Sequence, residues 1–140
     1  MTTLVLYVSD RYTDSKKKKE VIEAARSSLC DGMHLDKKDV WVILEAFKDG
    51  ESNERVNHCF FPVLYTPQGT PYAYKKKAGE LMNERLKALV PEEEIGHVYF
   101  HMKEHEYDNA AENGVLLKYN AAAIKHLDES RGENSTPWLG

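Results

Sequence analysis

The sequence is short of several things that define common protein classes. It has two cysteines in 140 residues, Cys30 and Cys59. That is too few for a disulfide framework and fits reduced thiols, so the expected location is the cytoplasm. It has no apolar run near the ~20 residues of a membrane span, so no membrane partner is expected. The opening Met1-Thr2-Thr3-Leu4-Val5-Leu6-Tyr7-Val8 lacks the basic flank and small-residue cleavage site of a secretory signal. It also lacks an excess of positive charge: 19 Lys and Arg stand against 23 Asp and Glu, a net charge of −4. Nucleic-acid binders carry the opposite imbalance, so no nucleic-acid partner is expected.

What is present is a periodic pattern of one-domain length. Leu4–Val8 is β-branched and aromatic and reads as a strand. Asp14 or Ser15 can cap a helix that starts at Lys16, with Val21, Ile22, Ala25 and Leu29 at helical spacing. Gly32 is read as its stop. Asp39–Phe47 reads as a second, largely buried strand and His58–Tyr65 as a third. Pro62 inside the third implies an edge, a bulge or an irregular end. Ala78, Leu81, Met82, Leu86 and Leu89 form one face of a helix over 72–89. His97–Met102 reads as a fourth strand, 117–127 as a short helix, and Arg131–Gly140 as a frayed polar tail.

Strand–helix–strand therefore occurs twice. The fold class expected is α/β: two consecutive βαβ units in one four-stranded, mixed but mostly parallel sheet, with both helices on one face. The other face then needs cover, which association of copies supplies. A ferredoxin-like order is the alternative that periodicity alone leaves open.

Several residues bear on chemistry. His101 and Glu112 together suit general acid–base work near neutral pH. His97, His101 and His105 have metal-like spacing for a helix, but their segment reads as a strand, where His97, Tyr99 and His101 share a face. No metal or other cofactor is expected. Lys16–Lys19 and Lys75–Lys77 are either solvated helix starts or sites for an anion. Trp41, Phe60 and Phe61 read as core or subunit-interface residues, and Cys59 as a buried thiol. The sequon Asn134-Ser135-Thr136 has no secretory context.

Four strings carry a family resemblance. Leu6-Tyr7-Val8-Ser9-Asp10-Arg11 with Thr13 and Ser15 resembles the first strand and turn of the cis-3-chloroacrylic acid dehalogenase group in the tautomerase superfamily. Gly79-Glu80-Leu81-Met82-Asn83-Glu84-Arg85-Leu86 resembles the second helix of that group and, more distantly, of the macrophage migration inhibitory factor group. His97-Val98-Tyr99-Phe100 resembles the fourth strand, and Glu112-Asn113-Gly114-Val115-Leu116-Leu117 the segment after it. The resemblance spans residues 2–120. It implies a single tautomerase-like domain with a core over 2–103, a C-terminal extension over 104–140, and a homotrimer.

It also implies a site. Such proteins use an N-terminal proline exposed by removal of the initiator Met. Thr2 stands at that position here, so Thr2 would supply the amine. Glu112 matches the water-positioning glutamate, and Tyr99 also matches. His101 stands where the group has a tyrosine, and Ser28 or Leu29 where it has a histidine. The two carboxylate-binding arginines have no counterpart in 67–70, so Lys75 and Lys76 are the candidates for that role. The expected activity is a weak, cofactor-independent tautomerase, isomerase or hydratase acting on small 2-oxo acids, with Thr2, His101 and Glu112 catalytic. The alternative is a non-catalytic oligomeric binding protein on the same scaffold.

Overall fold

The computed structural model describes residues 2–94 and 96–132. The sequon and the rest of 133–140 lie outside the described residues, as do Met1 and Ile95. The elements are β1 (Thr2–Ser9), α1 (Ser15–Met33), β2 (Val40–Phe47), β3 (Phe60–Pro67), α2 (Tyr72–Lys87) and β4 (His101–His105). A two-stranded hairpin follows, β5 (Ala111–Glu112) and β6 (Val115–Leu116), and then α3 (Ala121–Arg131). The sheet order is β2-β1-β3-β4. β1 pairs with β2 and β3 with β4 in parallel, while β1 and β3 are antiparallel. These are the two βαβ units that the periodicity implies, joined back to back along the centre of the sheet.

The period-two alternation of β1 decides which face is buried. Leu4, Leu6 and Val8 are wholly buried against the helices, each contributing ~1.5–3 kcal/mol through burial. Leu29, Ala25 and Val21 of α1 meet Ala78, Met82 and Leu86 of α2 in the same core. The alternate residues form the opposite face, where Tyr7, Trp41, Ile43, Tyr65 and Tyr99 are exposed. Trp41 therefore belongs to an uncovered surface, whereas Phe60 belongs to the core.

Several boundaries differ from the sequence reading. Helix α1 does not stop at Gly32 but runs through it to Met33, and His34 makes the left-handed cap at φ 55°. Gly32 serves packing instead: a Cβ there would stand 2.6 Å from Ala78 Cα and N. The second strand begins one residue late, at Val40, because Lys37–Asp39 form a 3₁₀ turn. The third begins at Phe60, since Glu54–His58 form another.

β3 is central rather than at an edge, and Pro62 gives it an irregular stretch. The N–H groups of Phe60 and Gln68 bond to β4-side carbonyls, so by alternation residue 62 also faces β4, and proline brings no donor. Pairing is a lone bridge at Phe60 and Val98 and becomes a ladder only from Val63 and His101 onward. This is why the fourth strand is His101–His105 and not 97–102. The C-terminal helix is also shifted, with a 3₁₀ turn over Leu117–Tyr119 before α3. Arg131 is no frayed residue: it is 4% exposed and bound on three sides. No helix among the described residues is long and apolar enough to cross a membrane.

Candidate active site

The topology gathers one end of every strand. The starts of β1 and β2 meet the ends of β3 and β4, through the pairs Thr2–Val40, Thr3–Tyr65 and Pro67–His105. Adjacent strand residues point to opposite faces. Thr2 and Thr3 therefore look into different cavities, one on each side of the sheet.

Thr2 lines the helix-side cavity, about 240 Å³, with His34, Asp36, Asp39, His126 and Glu129. Its side chain is buried, and its Oγ1 lies 3.3 Å from Thr66 Oγ1. Asp36, Asp39 and His126 bring ligand-type atoms within 4.8 Å of one another. The interaction in place there is between His126 Nε2 and Asp39 Oδ2, at 2.7 Å, which ties α3 to the turn after α1.

Thr3 lines the cleft on the open face, about 290 Å³, with Trp41, Tyr65, Pro67, His105, Glu112 and Asn120 among its walls. Glu112 is held there by the hairpin. Asn113 and Gly114 both have positive φ, 52° and 85°, the signature of the tight turn that matches strand twist. That turn pairs Glu112 with Val115. The hairpin is seated by the Leu117 N–H donating to Ala110 O and the Lys118 N–H to Tyr107 O, both 2.9 Å. Leu117 is buried beneath it.

The six residues singled out in the sequence do not form one cluster. Thr2 and Glu112 line the two cavities at the same end of the sheet. His101 and Tyr99 lie together on the open face with ring centroids 4.5 Å apart, and neither lines the cleft. Lys75 is engaged by Glu104. The other oxygen of Glu104 accepts from the Gly69 N–H at 2.9 Å. Lys76 pairs with Glu80 on the exposed side of α2 at 2.9 Å.

Sequence reasoning left two groups out of the site. His105 lines the cleft because β4 extends beyond 102. Arg131 reaches the 67–70 loop from α3, donating to Pro67 O, Gln68 O and Thr70 Oγ1 at 2.8, 2.7 and 3.2 Å. Burial lowers the pKa of this guanidinium from its usual value, and Tyr107, Glu104 and Asp128 oppose that shift only in part. Period two from His101 to His105 was the available signal for the first. Nothing local signalled the second.

Solved structures share this architecture. A wild-type fused 4-OT, solved as an asymmetric trimer, superposes with a TM-score of 0.70 at 15% identity, over 85% of this chain and 98% of that one. The fold is that of the tautomerase superfamily. A member of the cis-3-chloroacrylic acid dehalogenase family matches with a TM-score of 0.68 at 15% identity, over 91% of this chain and 97% of that one. A malonate semialdehyde decarboxylase inhibited by 3-bromopropiolate matches at 0.64 and 14%, over 87% and 95%. No protein-family model and no curated protein matches the sequence. At these identities the tautomerase-superfamily likeness concerns the fold, and the fold alone does not fix the chemistry.

Proposed function

We propose that the protein is a cofactor-independent tautomerase or isomerase of small 2-oxo acids and their enols, working as a homotrimer. The observation that carries this reading is the placing of Glu112, by its hairpin, in a cleft that opens at the start of β1. Removal of Met1 would leave the Thr2 amine at the start of β1, next to Thr3 of the cleft and at the same end of the sheet as Glu112. An ordinary α-amine titrates near ~7.7–8.0, so part of it is neutral at pH 7 and able to accept a proton. In ketonisation the neutral amine would take the enol O–H proton and, as the ammonium, give a proton back toward carbon, with the Glu112 carboxylate as the relay. His105 lines the cleft. His101 stands four residues down the strand, about 13 Å away, where a neighbouring copy would meet it. The exposed apolar face supports association.

A second reading, a non-catalytic binding protein, is favoured by how cations near the end of β3 are used. Lys75 is spent on Glu104, and Arg131 on backbone carbonyls. Ketonisation of phenylenolpyruvate, followed by ultraviolet absorbance in wild type and Thr2→Pro, separates the two. Activity in the wild type, with an intact mass showing Met1 removed, supports the isomerase. Activity only in Thr2→Pro supports the binding protein, because the cleft then survives without its natural base.

A further inference from the structure

We infer that Asp36, Asp39 and His126 form a structural site for one zinc-type metal dication, which clamps α3 onto the turn between α1 and β2. The site lies on the helix side of the sheet and is independent of the isomerase reading. The three residues bring ligand-type atoms within 4.8 Å of one another. Local structure explains how. Lys37–Asp39 form a 3₁₀ turn with Asp36 as its N-cap. Residues three apart eclipse in such a turn, so both carboxylates stand on one side. Asp36 holds a cap position yet makes no side-chain capping bond, which leaves its carboxylate to the cluster. His126 reaches Asp39 from α3, 87 residues along the chain. Glu129, three residues on, shares its helix face and also lines the cavity.

Charge points the same way. Among the described residues the cavity wall carries the carboxylates of Asp36, Asp39 and Glu129, and neither lysine nor arginine. Like charges so close repel, and a dication among them cancels that repulsion. The fit needs only small side-chain movements. A tetrahedral ion with bonds of about 2.0–2.1 Å sets its ligand atoms about 3.3 Å apart. His126 Nε2 and Asp39 Oδ2 stand 2.7 Å apart, so they open by about 0.6 Å while Asp36 closes in. The ion takes the place of the hydrogen between them, and the imidazole stays neutral with its proton on Nδ1. The adjoining cavity, about 240 Å³, has room for a water as fourth ligand. One imidazole with carboxylates is a donor set for zinc and its neighbours, whereas calcium takes six to eight oxygens.

Calorimetric titration of the untagged, EDTA-treated full chain with zinc chloride tests this, with thermal unfolding alongside. One ion per chain is expected, and excess zinc should raise Tm, because the ion binds the folded chain. Asp36→Asn should raise the Kd at least about tenfold. Asparagine keeps the size and the cap preference and leaves the His126–Asp39 bond in place, so the metal-free Tm of this variant should match the wild type. His126→Ala should lose affinity to a similar degree. His97→Ala removes an exposed histidine outside the site and should leave the Kd within about twofold. Calcium chloride should bind at least about a hundredfold more weakly than zinc. No heat and no Tm shift with zinc, an unchanged Kd in Asp36→Asn or His126→Ala, or equal affinity for calcium would overturn the inference. So would a Kd that rises in His97→Ala instead, which would assign the ion to exposed histidines.

Discussion

Gly32 of α1 lies against the backbone of Ala78 in α2, so close that a Cβ at residue 32 would stand 2.6 Å from Ala78 Cα and N. The helices hold their distance from each other through this contact, and the core beneath them depends on it.

Gly32→Ala is therefore expected to destabilise the protein, although alanine is the better helix former by ~1 kcal/mol. The neighbour is backbone and cannot swing away, so overpacking should cost about 1–3 kcal/mol net. Urea unfolding of wild type and variant measures it. A gain in stability would show that the helices separate freely.

Arg131 satisfies two carbonyls and a hydroxyl from a nearly buried position. Arg131→Ala should cost about 2–4 kcal/mol, because charged hydrogen bonds are lost and buried acceptors stay unpaired. Arg131→Lys should lie between, since one ammonium cannot reproduce the fork. Thermal unfolding of the three proteins gives the order.

Tyr12 contributes a pH dependence. Burial, and then the Glu94 carboxylate, raise its pKa above the ordinary 10.0. The folded protein thus keeps a proton that the unfolded chain has lost. The stabilisation is complete below pH 10 and falls as pH rises toward the folded value. Tyr12→Phe should flatten part of the alkaline slope in stability measured between pH 8 and pH 11. An identical slope would assign that loss to other groups.

These relationships show which parts of the molecule were legible in the sequence. The two βαβ units follow from period two in Leu4–Val8 and helical spacing in Val21–Leu29 and Ala78–Leu86, because each pattern selects a buried face. Gly32 misled as a helix stop: local reading sees its freedom from a side chain but not the helix that packs against it. Pro62 was rightly a mark of irregularity, yet which neighbour lost a bond depended on register. In the site, Glu112 was visible through the string around Asn113-Gly114. His105 was hidden by a strand placed too early. Arg131 was hidden because its partners lie more than 60 residues away, beyond any local pattern.

The open sheet face gives a prediction about assembly. Ile43 is 48% exposed on that face, halfway along the edge strand β2, where it pairs with Val5. The wild type is expected to have a solution mass three times its 16.1 kDa. Ile43→Arg should shift it toward the monomer, since burying an unpaired charge costs far more than an interface gains there. Light scattering after gel filtration reads both masses.

The most direct test of the account is kcat/KM for phenylenolpyruvate ketonisation in Glu112→Gln. A group that delivers a proton in the transition state contributes ~10²–10⁴-fold, so a fall of that size with KM little changed is the predicted result. Wild-type kcat/KM in Glu112→Gln would contradict the account and take the reaction away from this cleft.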